Sequence, residues 1–207
     1  ESRPFHCLFG SLMWMWVEDP TDPRGIPQYF GRRDPPDTSG TKQTPESWMD
    51  QLLGVVMPRD FGSPNHASRR RDALESHMAT LPDETQELLW LYDYWLGPSW
   101  KLRQYLWAHE PEAEATARTL IRVLGAATVK QVLRFMATNY WERYLGWPDL
   151  LTWRDGDDGP EDVMLIEVKS RGDRLSEDQR TWIQLNATEL GLPFRLAKVH
   201  RVERLTT

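Results

Sequence analysis

The chain has 207 residues, 40 % of them hydrophobic, and a formal net charge of −6. That length accommodates one well-buried domain, or one core carrying an inserted region, and no apolar run approaches the length of a membrane span. The single cysteine, Cys7, excludes an internal disulfide and any cysteine-based zinc cluster, and the negative balance argues against coating of nucleic acid by bulk charge.

In chain order, Phe5 to Val17 reads as a nearly all-apolar helix, with Phe5, Leu8, Phe9, Leu12, Met13 and Trp16 at helical spacing. The first residues carry neither a basic n-region nor a signal-peptide core. Glu18 to Pro45 is rich in Pro, Gly, Asp and Thr and is expected to be loop. Shorter helices are expected over Glu46–Val56, Ser68–Ala79 and Thr85–Trp95, and Pro98-Ser99-Trp100 reads as the opening of another. A helix from Pro111 to about Leu124 precedes a clearer one over Val129–Tyr144, where Val129, Val132, Leu133, Met136, Tyr140 and Tyr144 share one face.

The periodicity then changes to that of strands. Asp149–Trp153 and Val163–Lys169 read as strands, joined by the turn chemistry of Arg154 to Pro160. Ser176 opens an amphipathic helix to Leu190, stopped by Gly191 and Pro193, and Phe194–Val202 is the last expected strand. The expected fold is α/β: helices first, as an insertion over 18–128, then a compact β-β-α-β unit over 129–207.

The chemistry concentrates in that last unit. Side chains two apart on a strand share a face, so Glu167 and Lys169 are expected on one surface while Val168 enters the core. If the two strands pair as a hairpin, Asp149 comes beside Glu167. Two carboxylates there suit Mg²⁺ or Mn²⁺, with the Val168 carbonyl as a further oxygen ligand. Lys169 would orient or deprotonate a water and stabilise charge on a phosphate. Arg171 and Arg174 add cations nearby, and Ser176 to Gln179 is a capping box that leaves a helix N-terminus near the phosphate path.

These residues resemble a known family. The stretches Gly146 to Leu151, Ile166 to Lys169 and Gly172 to Gln179 are similar to the VRR-NUC branch of the PD-(D/E)xK nucleases. The stretches Glu1 to Trp14, Gly25 to Pro27 and Arg69 to Glu75 resemble, in the right order, the nuclease region of Fanconi-associated nucleases. The resemblance implies a restriction-endonuclease-like core, a Mg²⁺- or Mn²⁺-dependent activity on DNA flaps and repair intermediates, and a catalytic quartet at Glu1, Asp149, Glu167 and Lys169, in which Glu1 completes the metal site and Lys169 serves the attacking water. It also implies that this chain is the C-terminal portion of a longer protein. At the positions where such enzymes anchor a terminal phosphate with basic residues, this sequence has Trp141 and Asp178.

Other features have more than one reading. Glu142 reads either as a solvated helix charge or as a competitor of Glu1 for the metal. Arg69, Arg70 and Arg71 read as a solvated helix start or, with Lys101 and Arg103, as contacts to a DNA backbone. The Trp90, Tyr92, Tyr94, Trp95, Trp100 and Trp107 cluster reads as core, with stacking on bases as the minor reading. Asp155, Asp157 and Asp158 read as a hairpin turn, and the five histidines as ordinary residues rather than a zinc site. The expected biology is a repair nuclease of the cytoplasm or nucleoid with DNA and a repair partner. A toxin domain delivered into a rival cell's cytoplasm and held by an immunity protein is the alternative, and a dead-nuclease binding module the third reading. None of the three involves a membrane.

Overall fold

The computed structural model describes residues 2–32, 52–99, 102–103, 111–157 and 159–199. The chain divides into two compact units, Arg3–Trp141 and Glu142–Thr207, the latter also taking in Glu1–Ser2.

In the first unit, α1 (Arg3–Leu12) buries Phe5, Cys7, Leu8, Phe9 and Leu12. A helix apolar on nearly every side is stable only inside a core. The expected single helix breaks at Met13, and α2 (Trp14–Val17) follows. The core is completed by α5 (Thr85–Ser99) and α6 (Pro111–Thr138), both of which pack on α1. Within α6 the backbone leaves helical geometry at Gly125, with φ 77° and ψ 161°, a conformation a side chain would oppose. The kink falls between the two helices expected from periodicity. By contrast, α5 continues through Pro98 instead of restarting there; one hydrogen bond lost in a last turn does not end a helix anchored by Leu88, Tyr92 and Leu96. The expected Ser68–Ala79 helix is two, α3 (Pro64–Arg69) and α4 (Arg71–Thr80).

The same unit contains a sheet that periodicity did not reveal. β1 (Gly25–Arg32) lies in the expected loop, and β2 (Leu52–Pro58) overlaps the expected Glu46–Val56 helix. They pair antiparallel from Gly25↔Pro58 to Gly31↔Leu52, and the two-residue β3 (Leu102–Arg103) adds on the other side of β1. The segment 18–128 is therefore not helical throughout. Leu52 to Met57 is a short apolar run, which spacing alone cannot assign, and Val55-Val56 favours a strand. Pro27 is tolerated because, among the described residues, β3 meets only Gly31 and Arg32 and no strand pairs with β1 on that side beside the proline.

The second unit is the expected β-β-α-β arrangement. After the short α7 (Tyr140–Arg143), which spans the boundary, β4 (Leu150–Gly156) and β5 (Gly159–Lys169) form an antiparallel hairpin. Its turn lies between Gly156 and Gly159, where the aspartate run was expected to turn, and a bulge at Trp153 shifts the register. Then α8 (Glu177–Leu185) ends in a π-helical turn (Asn186–Leu190), and β6 (Phe194–Lys198) returns parallel to β5. Trp147, Trp182 and Phe194 form its aromatic core, with successive ring centroids 5.3 and 5.4 Å apart. Among the described residues no helix is long and apolar enough to cross a membrane.

Candidate active site

The approach to Asp149 is built by its own motif. Gly146 has φ 77°, and a Cβ placed on it would lie 2.2 Å from the Asp178 carbonyl oxygen. Only a glycine lets this loop lie against the first turn of α8. Trp147 is fully buried and donates its indole N–H to the Arg143 carbonyl at 3.1 Å. Asp149 then stands at the head of β4, where the register Leu150↔Ile166 continues towards Glu167. Its Oδ2 accepts the Val168 N–H at 2.8 Å. The hairpin thus brings Asp149 to the Glu167-Val168-Lys169 segment, as the spacing anticipated.

One expectation about this strand is corrected. Leu165 and Glu167 are the buried residues, whereas Val168 is only half-buried. The period of two is as expected, but the face carrying Glu167 is the one that α8 reaches, through Gln179. Glu167 is 1 % exposed. Its Oε1 accepts Gln179 Nε2 at 2.6 Å and pairs with Lys169 Nζ at 2.6 Å. Its Oε2 is buried without any hydrogen-bond partner. A carboxylate oxygen buried and unmatched is costly, and it leaves lone pairs that a cation could use.

Lys169 keeps its ammonium form over a wider range than an ordinary lysine. The hydrogen bond to Glu167 is the main cause, and the charges of Glu167, Asp149 and Asp173 reinforce it. Asp173 shapes the following turn, its Oδ2 accepting the Ser170 N–H at 2.9 Å and the Ser170 hydroxyl at 2.5 Å. The bonds to Ser170 hold this carboxyl below the usual aspartate range. Arg171 and Arg174 are exposed on the same loop, neither paired with a carboxylate among the described residues.

The capping box forms as expected. Ser176 Oγ accepts the Gln179 N–H at 3.2 Å, and Gln179 Oε1 accepts the Ser176 N–H at 3.0 Å. Sequence reasoning missed what the rest of that amide does. With Oε1 fixed by the cap, Nε2 is turned onto Glu167, so one glutamine both starts the helix and holds the carboxylate. The capping signal is local; the contact to Glu167 is tertiary and has no sequence signature of its own.

The donor types suit a hard divalent cation: the carboxylates of Asp149 and Glu167, the latter with its Oε2 unmatched, and the Val168 carbonyl of the same strand. Among the described residues no three His, Cys, Asp or Glu side chains converge; Asp149 and Glu167 are the two carboxylates that the hairpin brings to one segment. Glu1, the third carboxylate implied by the resemblance, lies outside the described residues, as does Lys101. Glu142 is exposed on α7. Arg70 is not poised for DNA: its side chain is nearly buried, donating to the Trp16 carbonyl at 2.7 Å and to Asp19 at 2.9 Å. Trp141 donates its indole N–H to the Phe61 carbonyl at 2.8 Å, and Asp178 is exposed in the first turn of α8. The aromatic cluster divides. Tyr92 is core, but Trp90 and Tyr94 are 65 % and 59 % exposed, stacked on each other, and Trp100 and Trp107 lie outside the described residues.

The chain is similar to a Fanconi-associated nuclease 1 homolog of Arabidopsis thaliana, 28 % identical over 151 residues, covering 72 % of this chain and 17 % of that protein. It is also similar to human Fanconi-associated nuclease 1, 27 % identical over 185 residues, covering 88 % of this chain and 16 % of that one. It therefore spans about a sixth of the length of these relatives. Among solved structures, paFAN1 bound to DNA with a 1-nucleotide 5′ flap and a gap matches with a TM-score of 0.66 at 20 % identity, covering 98 % of this chain and 32 % of that one. The fold is that of the PD-(D/E)xK nucleases. The profile of the VRR-NUC domain matches residues 91–201, which is more than half of the chain and includes Asp149, Glu167 and Lys169; the chain belongs to the VRR-NUC family.

Proposed function

We propose that the chain is a divalent-metal-dependent DNA nuclease that hydrolyses phosphodiester bonds in branched, flap-type DNA, in the service of repair. The observation that carries this reading is Glu167, a buried carboxylate with one oxygen fixed by Gln179 and Lys169 and the other unmatched. Support for the substrate comes from relatives named Fanconi-associated nucleases and from paFAN1, whose structures hold 5′-flap DNA.

Asp149, Glu167 and the Val168 carbonyl would hold Mg²⁺ or Mn²⁺, with Glu1 as a further donor. Bound there, the cation supplies positive charge to a phosphoryl oxygen and lowers the pKa of a water. The protein's residues do the positioning. Gln179 fixes Glu167 Oε1, and the Val168 N–H fixes Asp149 Oδ2. Lys169, as an ammonium beside Glu167, stabilises the negative charge that develops on the attacked phosphate. Arg171 and Arg174, exposed on the loop after β5, would offer guanidinium groups to backbone phosphates of the DNA.

The test is cleavage of a 5′-flap duplex in Mn²⁺ by Glu167→Gln and Lys169→Met. Each is expected to lose about 10³-fold in rate, the scale for removing one preorganised charge-stabilising group. Cooperative thermal unfolding would verify that each variant is folded. A folded variant that keeps more than a tenth of the parent rate would sink the assignment.

A further inference from the structure

A second site lies in the larger unit, where β1 and β2 begin and end. One step beyond the Gly25↔Pro58 pair, the Arg59 N–H donates to the Arg24 carbonyl at 3.0 Å. The register therefore sets two arginines directly opposite each other, an arrangement that is unfavourable unless something negative lies between them. They open onto a cleft of roughly 470 Å³ lined by Pro23, Arg24, Gly25, Ile26, Arg59 and Asp60.

The acidic side of the cleft is already committed. Asp60 Oδ1 accepts Arg69 at 2.8 Å, and Oδ2 accepts Arg69 at 3.2 Å and Arg24 at 2.8 Å. These bonds, Arg69's foremost, hold the Asp60 carboxyl at about 2. Asp22 and Asp19 are taken by Arg69 and Arg70, at 2.8 and 2.9 Å. Glu18, the nearby glutamate, turns to the Val56 backbone. Arg24, Arg69 and Arg70 are thus ion-paired with Asp19, Asp22 and Asp60, whereas among the described residues Arg59 is not. It is exposed and has no carboxylate partner among the described residues. Arg24, its side chain 54 % exposed, uses only one nitrogen on Asp60.

We propose that Arg59, with the outward side of Arg24, binds a phosphodiester of the DNA strand. The cleft is a phosphate-positioning site that carries no sequence information. It gives a chain of net charge −6 a local cationic hold on its substrate. The inference rests on the proposed DNA substrate, so the test must fail separately from that reading.

The experiment is fluorescence anisotropy of the full chain with a labelled 5′-flap duplex, in Ca²⁺ to prevent turnover, between 50 and 200 mM NaCl. In parallel, hydrolysis of bis(p-nitrophenyl) phosphate in Mn²⁺ reports the catalytic groups alone. Arg59→Gln should weaken DNA binding roughly 3- to 10-fold and lower the slope of log K against log salt by about 1, for every duplex tested. Arg59→Lys should keep the slope, and both variants should hydrolyse the small diester like the parent. An unchanged slope in Arg59→Gln, with parental diester hydrolysis intact, overturns the phosphate site and leaves the nuclease reading standing. A parent that neither binds the duplex nor hydrolyses the diester overturns both.

Discussion

In the unit of Arg3–Trp141 the largest fully buried side chains are Trp16, Tyr92, Tyr140, Phe9, Leu8, Met13, Met78, Leu88, Ile121 and Leu133. In the unit from Glu142 onward, Trp147 and Trp182 are buried alongside Arg143, Glu167, Gln179 and Asn186. The first unit uses burial for cohesion and gathers Arg24, Arg69 and Arg70 with Asp19, Asp22 and Asp60 into one group of ion pairs. The second gives much of a smaller interior to polar groups whose positions matter more than their transfer energy. Stability and chemistry are therefore expected to respond to different substitutions in the two units.

His66 is the sharpest exception in the cohesive unit. It is fully buried between Trp16 and Phe61, and neither ring nitrogen has a hydrogen-bond partner. Burial, aided by the charge of Arg70, lowers its pKa from 6.5 to about 4; Arg69 acts in the same sense, and Asp60 and Asp22 oppose it. A histidine whose folded pKa lies below its unfolded value supports the fold fully above pH 6.5. That support is lost as pH falls from 6.5 towards 4, by about 3 kcal/mol in all. Urea unfolding between pH 7 and pH 4 should show this loss in the parent and a flatter profile in His66→Phe. Any constant penalty from the bulkier ring does not enter the slope. Equal slopes would mean that His66 does not titrate as its burial implies.

The counterpart in the polar unit is Gln179. Gln179→Leu keeps the side-chain bulk but removes the amide that holds Glu167 Oε1. Residues that orient metal ligands are commonly worth 10- to 100-fold. Flap cleavage should fall by about that factor, with the half-saturating Mn²⁺ concentration raised and DNA affinity in Ca²⁺ unchanged. A loss of DNA affinity in place of the Mn²⁺ effect would make Gln179 a substrate contact instead.

How much of this was legible follows the same division. Asp149, Glu167 and Lys169 could be read because their relation is set by a hairpin and a period of two, both local in sequence. The kink near Gly125 was visible as a break between two apolar faces for the same reason. The face carrying Glu167 was assigned wrongly because an apolar Val168 reads as core, and only the arrival of Gln179 shows which side is covered. The strands at Gly25–Arg32 and Leu52–Pro58 were missed because their pairing spans a long, polar and proline-rich stretch. Trp90 and Tyr94 read as core by type, yet they stand on the outer face of α5.

The smallest expected effect separates the two duties of Gln179. Ser176→Ala removes the hydroxyl that accepts the Gln179 N–H but leaves the amide bond to Glu167 in place. Loss of such a cap costs about 1 kcal/mol, or roughly 2–4 °C in Tm for a chain of this size. Cleavage should stay within about twofold of the parent, because Glu167 Oε1 keeps both Gln179 and Lys169. The reverse pattern, a large loss of cleavage at unchanged Tm, would mean that the cap itself sets the amide's aim. Glu167 would then depend on the first turn of α8 as a whole, and a buried polar group in this unit could not be altered without moving its neighbours.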